Sequence, residues 1–424
     1  MGSAILISLA VLLVIATPIA VALLGASAIS MALFTPLPKI IVVQQLYSAL
    51  DKFPLAAIPF FILSGNIMNA GGLSKRLVEF ALSLVGSIRG GLPAACVITC
   101  MIFAAVSGSS VATTFAVGAI VIPTMTRSGF PVGWAASLQA TSAELGVIIP
   151  PSIPMIIFGL SANVSIGELF IAGILPGILI GATLIGFVIG WSFLMGYGKS
   201  AGHAPSILRA TRRAMWPLLM PVIVLGGIYG GVFTPTEASI VAVLFSLSIS
   251  TLVYRSVTLK AIFEAFRQSV MQSCGILFII AAAGLFGFLI TRAGLPSDLS
   301  AWLATTFDTR WSFLLAINIA LLIVGMFIET SAGILMLAPI LTPIAITMGI
   351  DPVHFGIIMI VNLAVGMITP PFGVNLFAAS IVSGAPVSKM IRHLIPFVSA
   401  MLACLALIVM VPWISLVLRD LVYP

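Results

Sequence analysis

Long apolar runs separated by short polar segments make up almost the whole chain. The first run covers residues 4–34, and apolar and polar side chains do not alternate along it or along the later runs. Runs of this length without strict alternation are typical of helices that cross a membrane, whereas the strands of an outer-membrane barrel alternate. The pattern therefore predicts an all-α polytopic membrane protein.

The composition excludes several classes of function. Hydrophobic residues make up 61% of the 424 residues and charged residues 7%, against about 25% charged in soluble domains. The net charge of +7 comes from basic residues scattered through short loops, which indicates membrane topology and no nucleic-acid partner. Enzyme signatures such as HExxH, paired aspartates or a nucleotide-binding loop are absent from the sequence. We therefore expect a transport protein that is not an enzyme.

An internal repeat divides the chain into two copies. "VIPTMTRSG" at 121–129 matches "LTPIAITMG" at 341–349, and at the same offset the proline pair 150–151 falls on the pair 370–371. Gly146 falls on Gly366 in the same register, and these matches are too regular for chance in a chain with 26 prolines. The predicted organisation is a first repeat over 1–195, a cytoplasmic loop and linking helix over 196–235, and a second repeat over 236–424.

Charge at equivalent positions predicts that the second copy is inverted. After its proline pair the first copy continues into "SANVSIGELF" (161–170), which has no basic residue. The second copy continues at the matching place into "GAPVSKMIRH" (384–393), which contains Lys389 and Arg392. Since basic loops stay in the cytoplasm, the two segments should lie on opposite sides of the membrane.

The loop after residue 195, with Lys199 and Arg209 among its basic residues, fixes the predicted topology as cytoplasmic at that point. Counting spans from there puts thirteen of the 18 lysine and arginine residues inside and leaves five outside: Lys39, Lys52, Arg292, Arg310 and Arg419. The N-terminus is expected inside. The run 4–34, about 46 Å long as a helix, leaves open whether "ATPIAV" (16–21) bends one helix or separates two.

The same count of spans requires two segments to leave the membrane on the side from which they entered. These are the predicted re-entrant hairpins 93–123 and 325–347, with turning points in "VSGSSVATT" (106–114) and "FIETSAGI" (327–334). Each is followed by a helix that its prolines interrupt, over 133–161 and 354–383. Non-helical backbone at this depth persists only inside protein or along a wet cavity.

A hairpin tip and a broken helix in each copy offer ligands for an ion. Free carbonyl oxygens with Ser, Thr or Asn side chains suit Na⁺, and free N–H groups at helix N-termini suit a carboxylate. The candidates of the first copy are Ser107, Gly108, Ser109, Ser110, Thr113 and Thr114 with Gly146, Pro150, Pro151 and Ser152. Those of the second are Glu329, Thr330, Ser331 and Gly333 with Gly366, Thr369, Pro370, Pro371, Gly373 and Asn375.

Each of these features alone has a simpler interpretation. Small residues such as "SGSS" at one tip are usual where membrane helices pack closely, and a single helix proline is usually a kink. The recurrence of proline pairs beside a hairpin tip in both copies favours a binding site, with at least two cation sites around one substrate site. Glu144 either takes a cation or proton or accepts structural hydrogen bonds, and Glu329 stands where the first copy has Ser109.

The motifs "GMFIETSAGILMLAPILTPIA", "DPVHFGIIMIVNLAVGMITPPFGVNLF", "SGSSVATTFAVGAIVIPTM" and "IIPPSIPMIIFG" resemble the large membrane (M) subunit of a TRAP (tripartite ATP-independent periplasmic) transporter. The resemblance covers essentially the whole chain. It implies a scaffold and a mobile transport domain that moves as an elevator in the bacterial inner membrane. It also implies Na⁺-coupled uptake of an organic acid, such as a sialic acid or a C4-dicarboxylate.

The same resemblance implies partners and assigns the candidates. A periplasmic substrate-binding protein (P) would deliver the acid, and a small Q membrane subunit is expected as a separate chain. One Na⁺ would bind at Ser107, Ser109, Ser110, Thr113, Gly146, Pro150 and Ser152, and another at Glu329, Thr330, Gly333, Gly366, Thr369, Pro370, Gly373 and Asn375. Substrate would lie between the tips, against Ser107, Gly108, Ser109, Ser152, Thr330, Ser331 and Asn375.

Two other readings stay open. A stand-alone divalent-anion/Na⁺ symporter of similar architecture would need neither a binding protein nor a Q subunit. A channel with two re-entrant half-helices is less favoured, because such channels carry Asn-Pro-Ala at their tips and neither tip here does.

Overall fold

The computed structural model describes residues 2–15, 17–196, 206–306 and 309–423. Lys199 of the predicted cytoplasmic loop falls outside these ranges. The described residues form helices in chain order: α1 (Gly2–Val14), α2 (Ile19–Phe34), α3 (Ile40–Leu50), α4 (Ala57–Ala70), α5 (Leu73–Val85), α6 (Gly91–Ser107), α7 (Ser110–Arg127), α8 (Val132–Ala143), α9 (Leu145–Ile148), α10 (Ile153–Ala162), α11 (Ile166–Met195), α12 (Ile207–Tyr229), α13 (Pro235–Ser248), α14 (Leu259–Arg292), α15 (Leu295–Thr306), α16 (Arg310–Phe327), α17 (Thr330–Thr347), α18 (Pro352–Met367), α19 (Val374–Ser383), α20 (Val387–Met410) and α21 (Trp413–Val422).

Many of these helices are membrane spans by length and composition. In the described ranges, 8 helices are long and apolar enough to cross a bilayer, and a ninth span results if α8, α9 and α10 count as one helix bent by 44°. No strand occurs in the same ranges. The prediction of an all-α polytopic membrane protein is confirmed.

The centre of the molecule consists of the first halves of the two broken helices. Every residue of α8 from Gly133 to Ala143 is buried, and so is every residue of α18 from Val353 to Met367. Helix α8 packs against α7, α19 and α20, while α18 packs against α16 and α17. The break that follows α9 is buried from Pro150 to Ser152, whereas the break that follows α18 is exposed at Pro371 and Phe372. Irregular backbone in a membrane protein is tolerated inside protein or along a wet cavity.

The same order of helices occurs twice. The first set is α6, α7, α8–α9, α10 and α11, and the second is α16, α17, α18, α19 and α20, with α17 starting 220 residues after α7. The sets also exchange partners, because α10 packs on α17 and α19 packs on α7. The inverted orientation of the second set remains a prediction from the charge pattern.

The second hairpin is longer than the sequence predicted. Its first arm, α16, begins at Arg310, whereas the predicted segment began at residue 325. The apolar run before residue 325 continues this arm without interruption, because no glycine or proline occurs between Arg310 and Val324. The break before α17 falls at residues 328–329, inside the predicted turning point.

The N-terminal run forms two helices. α1 and α2 pack against each other, and a methyl group on Gly2 would lie 3.0 Å from Leu295 Cδ1. Gly2 therefore lies at the same end of the molecule as Arg292, which the charge pattern places outside. The expected cytoplasmic N-terminus does not fit this arrangement, because α1 folds back along α2 instead of extending it.

Candidate ion and substrate site

The first hairpin tip is a cluster of hydroxyl and carbonyl oxygens. α6 ends at Ser107, Gly108 takes the left-handed conformation (φ 61°), and Ser109 accepts a hydrogen bond from Ala112 N at the start of α7. The Thr113 hydroxyl donates to Ser109 O at 2.7 Å and lies 3.0 Å from the Ser107 hydroxyl. Three oxygens thus meet at the tip, where the chain has just left one helix and entered the next.

A serine bridges the two halves of the first broken helix. α9 ends at Ile148, and α10 begins at Ile153 with Pro154 in its first turn. The Ser152 hydroxyl donates to Val147 O at 2.6 Å and accepts from Met155 N at 3.4 Å, so it bridges the two halves of the helix. The Pro150–Pro151 peptide bond between the halves is cis, as is Pro370–Pro371 in the second copy.

Tip and break touch each other in the first copy. Ile153 N donates to Gly108 O at 3.3 Å, and a Cβ on Gly108 would lie 2.9 Å from Pro151 O. A Cβ on Gly146 would lie 2.7 Å from Ser109 O and 2.9 Å from the Thr113 hydroxyl oxygen. Only glycine allows the backbone to approach this closely, and the result is a compact set of oxygens from two segments.

The second tip is built around a carboxylate. Glu329 accepts hydrogen bonds from Ser331 N at 2.9 Å and Ala332 N at 3.3 Å, so it caps the N-terminus of α17. The Ser331 hydroxyl donates to the same carboxylate at 2.9 Å, and the Thr330 hydroxyl contacts Met367 Sδ at 2.9 Å. The polar groups of the second tip therefore form hydrogen bonds mainly within the tip, as those of the first tip do.

The second break also lies against its hairpin. Gly373 N donates to Met326 O at 3.1 Å, and a Cβ on Gly366 would lie 2.5 Å from the Gly325 backbone. The Thr369 hydroxyl donates to Val365 O at 2.7 Å. Tip and break are thus joined here by a backbone hydrogen bond and by the close approach of two glycine backbones.

Asn375 points into the first copy. Its side-chain amide donates to Glu144 Oε1 at 2.8 Å and to Ala140 O at 3.1 Å, and its oxygen accepts from the Thr114 hydroxyl at 2.6 Å. All four residues are buried. This network joins α19 of the second copy to α7 and α8 of the first.

The structure thus sorts the predicted ligands into groups. The first cluster contains Ser107, Gly108, Ser109, Thr113, Gly146 and Ser152, with Pro150 in its break. The second contains Glu329, Thr330, Ser331, Gly333, Gly366 and Gly373. Thr369 and Pro370 lie in the same break, but the described structure joins neither of them to the tip by a hydrogen bond. Asn375 belongs with Glu144, and the Ser110 side chain also lies beside Glu144.

Glu144, for which the sequence left a cation or proton role and a structural role open, was not placed in either predicted Na⁺ site. It is fully buried, and its Oε2 atom has no hydrogen-bond partner among the described residues. It lies near enough to Glu329 of the second tip for the two carboxyl groups to interact electrostatically. The signal was present in the sequence, because Glu144 is the only acidic residue between Glu79 and Glu168.

Comparison with known proteins agrees with this architecture. A family model described as "Tripartite ATP-independent periplasmic transporter, DctM component" matches residues 6–414. A Pseudomonas aeruginosa protein named "C4-dicarboxylate TRAP transporter large permease protein DctM" is 42% identical over 93% of this chain and 92% of that protein. An Oleidesulfovibrio alaskensis protein named "Isethionate TRAP transporter permease protein DctMQ" is 40% identical over 96% of this chain but only 64% of its own length.

A solved structure supports the fold alone. The crystal structure of the Alcanivorax borkumensis YdaH transporter superposes with a TM-score of 0.63 at 15% identity, covering 95% of this chain and 96% of that chain. The family match and the relatives cover nearly all of the sequence, including both tips and both breaks. The chain belongs to the DctM family, the large permease components of tripartite ATP-independent periplasmic (TRAP) transporters.

Proposed function

We propose that this chain couples Na⁺ entry to the import of an organic acid across the bacterial inner membrane. The observation that carries the proposal is the contact of the first tip with the first break. There Ser109 O, Pro151 O and the hydroxyls of Ser107 and Thr113 gather around two glycines. Hard cations prefer oxygen ligands of this kind, and broken membrane helices supply them in secondary transporters.

Charge balance supports coupling to a cation. A carboxylate crossing hydrocarbon alone meets a prohibitive barrier, whereas two Na⁺ beside a monocarboxylate give a complex of net charge +1. Entry of each positive charge down a potential of 100 mV contributes about 2.3 kcal/mol. The second cation would bind between the Glu329 tip and the break at Gly366 to Gly373, and the acid between the two tips.

We further propose an elevator motion of a transport domain containing the two tips. Support comes from the exchanged packing, in which α10 rests on α17 and α19 on α7. Such packing would let both tips and both breaks move as one body. The inverted repeat predicted from the charges would then provide the outward-facing and inward-facing states.

Partners follow from the family. We propose delivery of the acid by a periplasmic binding protein, and assembly with a small Q subunit as a separate chain. The DctMQ name of the isethionate relative, of which this chain spans 64%, is consistent with a Q-like part in that longer protein. The names of the two relatives, C4-dicarboxylate and isethionate, favour a small organic anion as the substrate class.

Reconstituted uptake tests the proposal. Proteoliposomes that contain this chain, its Q subunit and the binding protein should take up labelled succinate or sialic acid in Na⁺ buffer and lose that uptake in choline buffer. Uptake that is equal in both buffers would refute Na⁺ coupling. Uptake by this chain alone would favour the stand-alone symporter instead.

A further inference from the structure

A cavity of about 260 Å³ lies apart from the two clusters, and we call it the outer cavity. Its walls come from α3, the turn after it, α10, α14 and α17. The residues that matter here are Gln45, Ser48, Lys52, Ser161, Asn163 and Gly287. The charge pattern places this end of the molecule outside.

The outer cavity is positively charged. Among the described residues that line it, Lys52 is the only charged one and none is acidic. The Lys52 ammonium group makes one hydrogen bond, at 3.5 Å, to Leu160 O near the C-terminal end of α10, and it forms no ion pair in the part of the chain that the structure describes. An ammonium group can donate three hydrogen bonds, so Lys52 has capacity for an anion.

Neutral hydrogen-bond donors surround the same space. The side chains of Gln45, Ser48, Ser161 and Asn163 line the cavity, and for none of them does the described structure contain a side-chain hydrogen bond. Amide and hydroxyl groups of this kind recognise the oxygens of an acid after a cation has attracted it. Apolar residues, among them Leu55 and Phe288, close the other side.

The position of the outer cavity connects it with the two clusters. Leu335 of α17 and Ile157 of α10 both line it, and these helices begin at Thr330 and Ile153 beside the second tip and the first break. Leu335 lies five residues and Ile157 four residues after these starts, about 7.5 and 6 Å along the helix, so the cavity lies one to two turns outward from both helix N-termini.

We propose that the outer cavity binds the carboxylate or sulfonate group of an organic acid, with Lys52 as its cation, before the acid reaches the tips. The position on the transport path rests on the proposed function, but the binding itself does not. Lys52 attracts the anionic group of the acid, and the neutral donors orient it. Because none of the described lining residues is acidic, no carboxylate of the cavity wall competes with the acid for Lys52.

Gly287 provides the space. A Cβ at this residue would meet no atom within 4 Å, although the residue lies within α14, five residues before its end. The side chain of a Gly287→Leu variant would therefore start in open space at the cavity wall. Gly284, one turn earlier, differs because its Cβ would lie 2.3 Å from Ala49 Cβ.

Protection of an introduced thiol tests the proposal. Ser48 is exposed and lines the cavity, so Ser48→Cys in a Cys274→Ser background places one accessible thiol there; the other three cysteines are buried. The labelling rate is measured with membrane-impermeant sulfonatoethyl methanethiosulfonate in proteoliposomes of phosphatidylcholine. Succinate, isethionate and sialic acid are added in turn. We expect at least one of them to slow labelling in a saturable manner.

Three further variants test whether Lys52 and the space beside Gly287 cause the protection. Lys52→Gln should raise the acid concentration for half-protection by about tenfold, the loss expected for one charge-assisted hydrogen bond. Lys39→Gln, at the other end of α3 and outside the cavity lining, should leave it unchanged. Gly287→Leu should remove protection, while size-exclusion elution confirms that each variant is folded.

Three results would overturn the proposal that the outer cavity binds an organic acid. Protection that is equal with and without Lys52, or no protection by any of the three acids, overturns the proposal. Slower labelling that requires phosphatidylglycerol in the vesicles, with no effect of the acids, assigns the cavity to a lipid headgroup and also overturns it. Uptake is measured in the same vesicles to separate the two hypotheses. Uptake that does not depend on Na⁺ would refute the proposed function, and it would leave the protection result unchanged.

Discussion

At the scale of single residues, the Glu144 carboxyl group ties the two copies together. It is fully buried, and it takes one hydrogen bond from Asn375 of the other copy. Asn375 in turn accepts from Thr114, so three polar side chains form one chain of hydrogen bonds through the protein interior. Burying a carboxyl group without such partners costs free energy of folding. The contribution of each of the three side chains to stability therefore depends on the other two.

Asn375→Leu should destabilise the protein. The substitution leaves Glu144 Oε1 and the Thr114 hydroxyl without their partner, and an unsatisfied buried polar group costs about 1–3 kcal/mol. We expect a lower melting temperature in detergent. Thr114→Val combined with Asn375→Leu provides the control, because the double variant should lose less than the sum of the single losses. Strictly additive losses would contradict a shared network.

Gly146→Ala should weaken Na⁺ binding. The new Cβ would lie 2.7 Å from Ser109 O, and the backbone of the tip would have to move away from the break. Displaced ligand oxygens typically cost about tenfold or more in metal affinity, so the Na⁺ concentration for half-maximal uptake should rise by about tenfold.

Gly186→Ala is the matched control for this substitution. Its Cβ would meet no atom within 4 Å, and the residue lies in α11 away from both clusters. The half-maximal Na⁺ concentration should therefore stay unchanged. If Gly146→Ala behaved in the same way as Gly186→Ala, the first cluster would not be a Na⁺ site.

At the scale of elements, the proposed function depends on helices that are interrupted partway along their length. The halves α8–α9 and α10 are separated by four residues, and Ser152 bonds to both of them. Helix α18 likewise ends at Met367, well before α19 begins at Val374. These gaps expose backbone carbonyl groups of the preceding half and N–H groups of the following half, which is the chemistry that a cation and a carboxylate need.

Replacing Pro150 and Pro151 with Ala should weaken Na⁺-coupled uptake by about tenfold. A proline inside a helix costs about 3 kcal/mol, so its removal favours a helix that continues across the break and covers the carbonyl groups. Folded protein, measured by size-exclusion chromatography, should fall much less than uptake. Pro176→Ala, inside the continuous helix α11, should leave the Na⁺ dependence unchanged. Unchanged uptake in the double variant would show that the stretch is only a kink.

The sequence predicted the breaks but not all of their partners. Proline pairs and glycines at a fixed offset are local signals, because they limit the conformation of the residues that carry them. The Asn375–Glu144 contact joins residues more than two hundred positions apart, and nothing in the pattern near either residue specifies the other. The start of α16 was also missed, since an uninterrupted apolar run gives no signal at its first turn.

At the scale of the whole molecule, the two copies form one unit. The buried helices α8 and α18 occupy the centre, and each copy lends a helix to the hairpin of the other. Both tips and both breaks are thereby held in one packed body, with the outer cavity on its outward side. In this arrangement a cation bound at either tip would alter the surroundings of the acid between them, which is what coupling requires.

Accumulation against a gradient tests Na⁺ coupling most directly. Proteoliposomes with this chain, its Q subunit and the binding protein are loaded with labelled succinate or sialic acid at the external concentration, and an inward Na⁺ gradient is then imposed. We expect the internal concentration of the transported acid to rise above the external one and to return to it when Na⁺ is equal on both sides. An internal concentration that never exceeds the external one for either acid, despite the Na⁺ gradient, would contradict Na⁺ coupling.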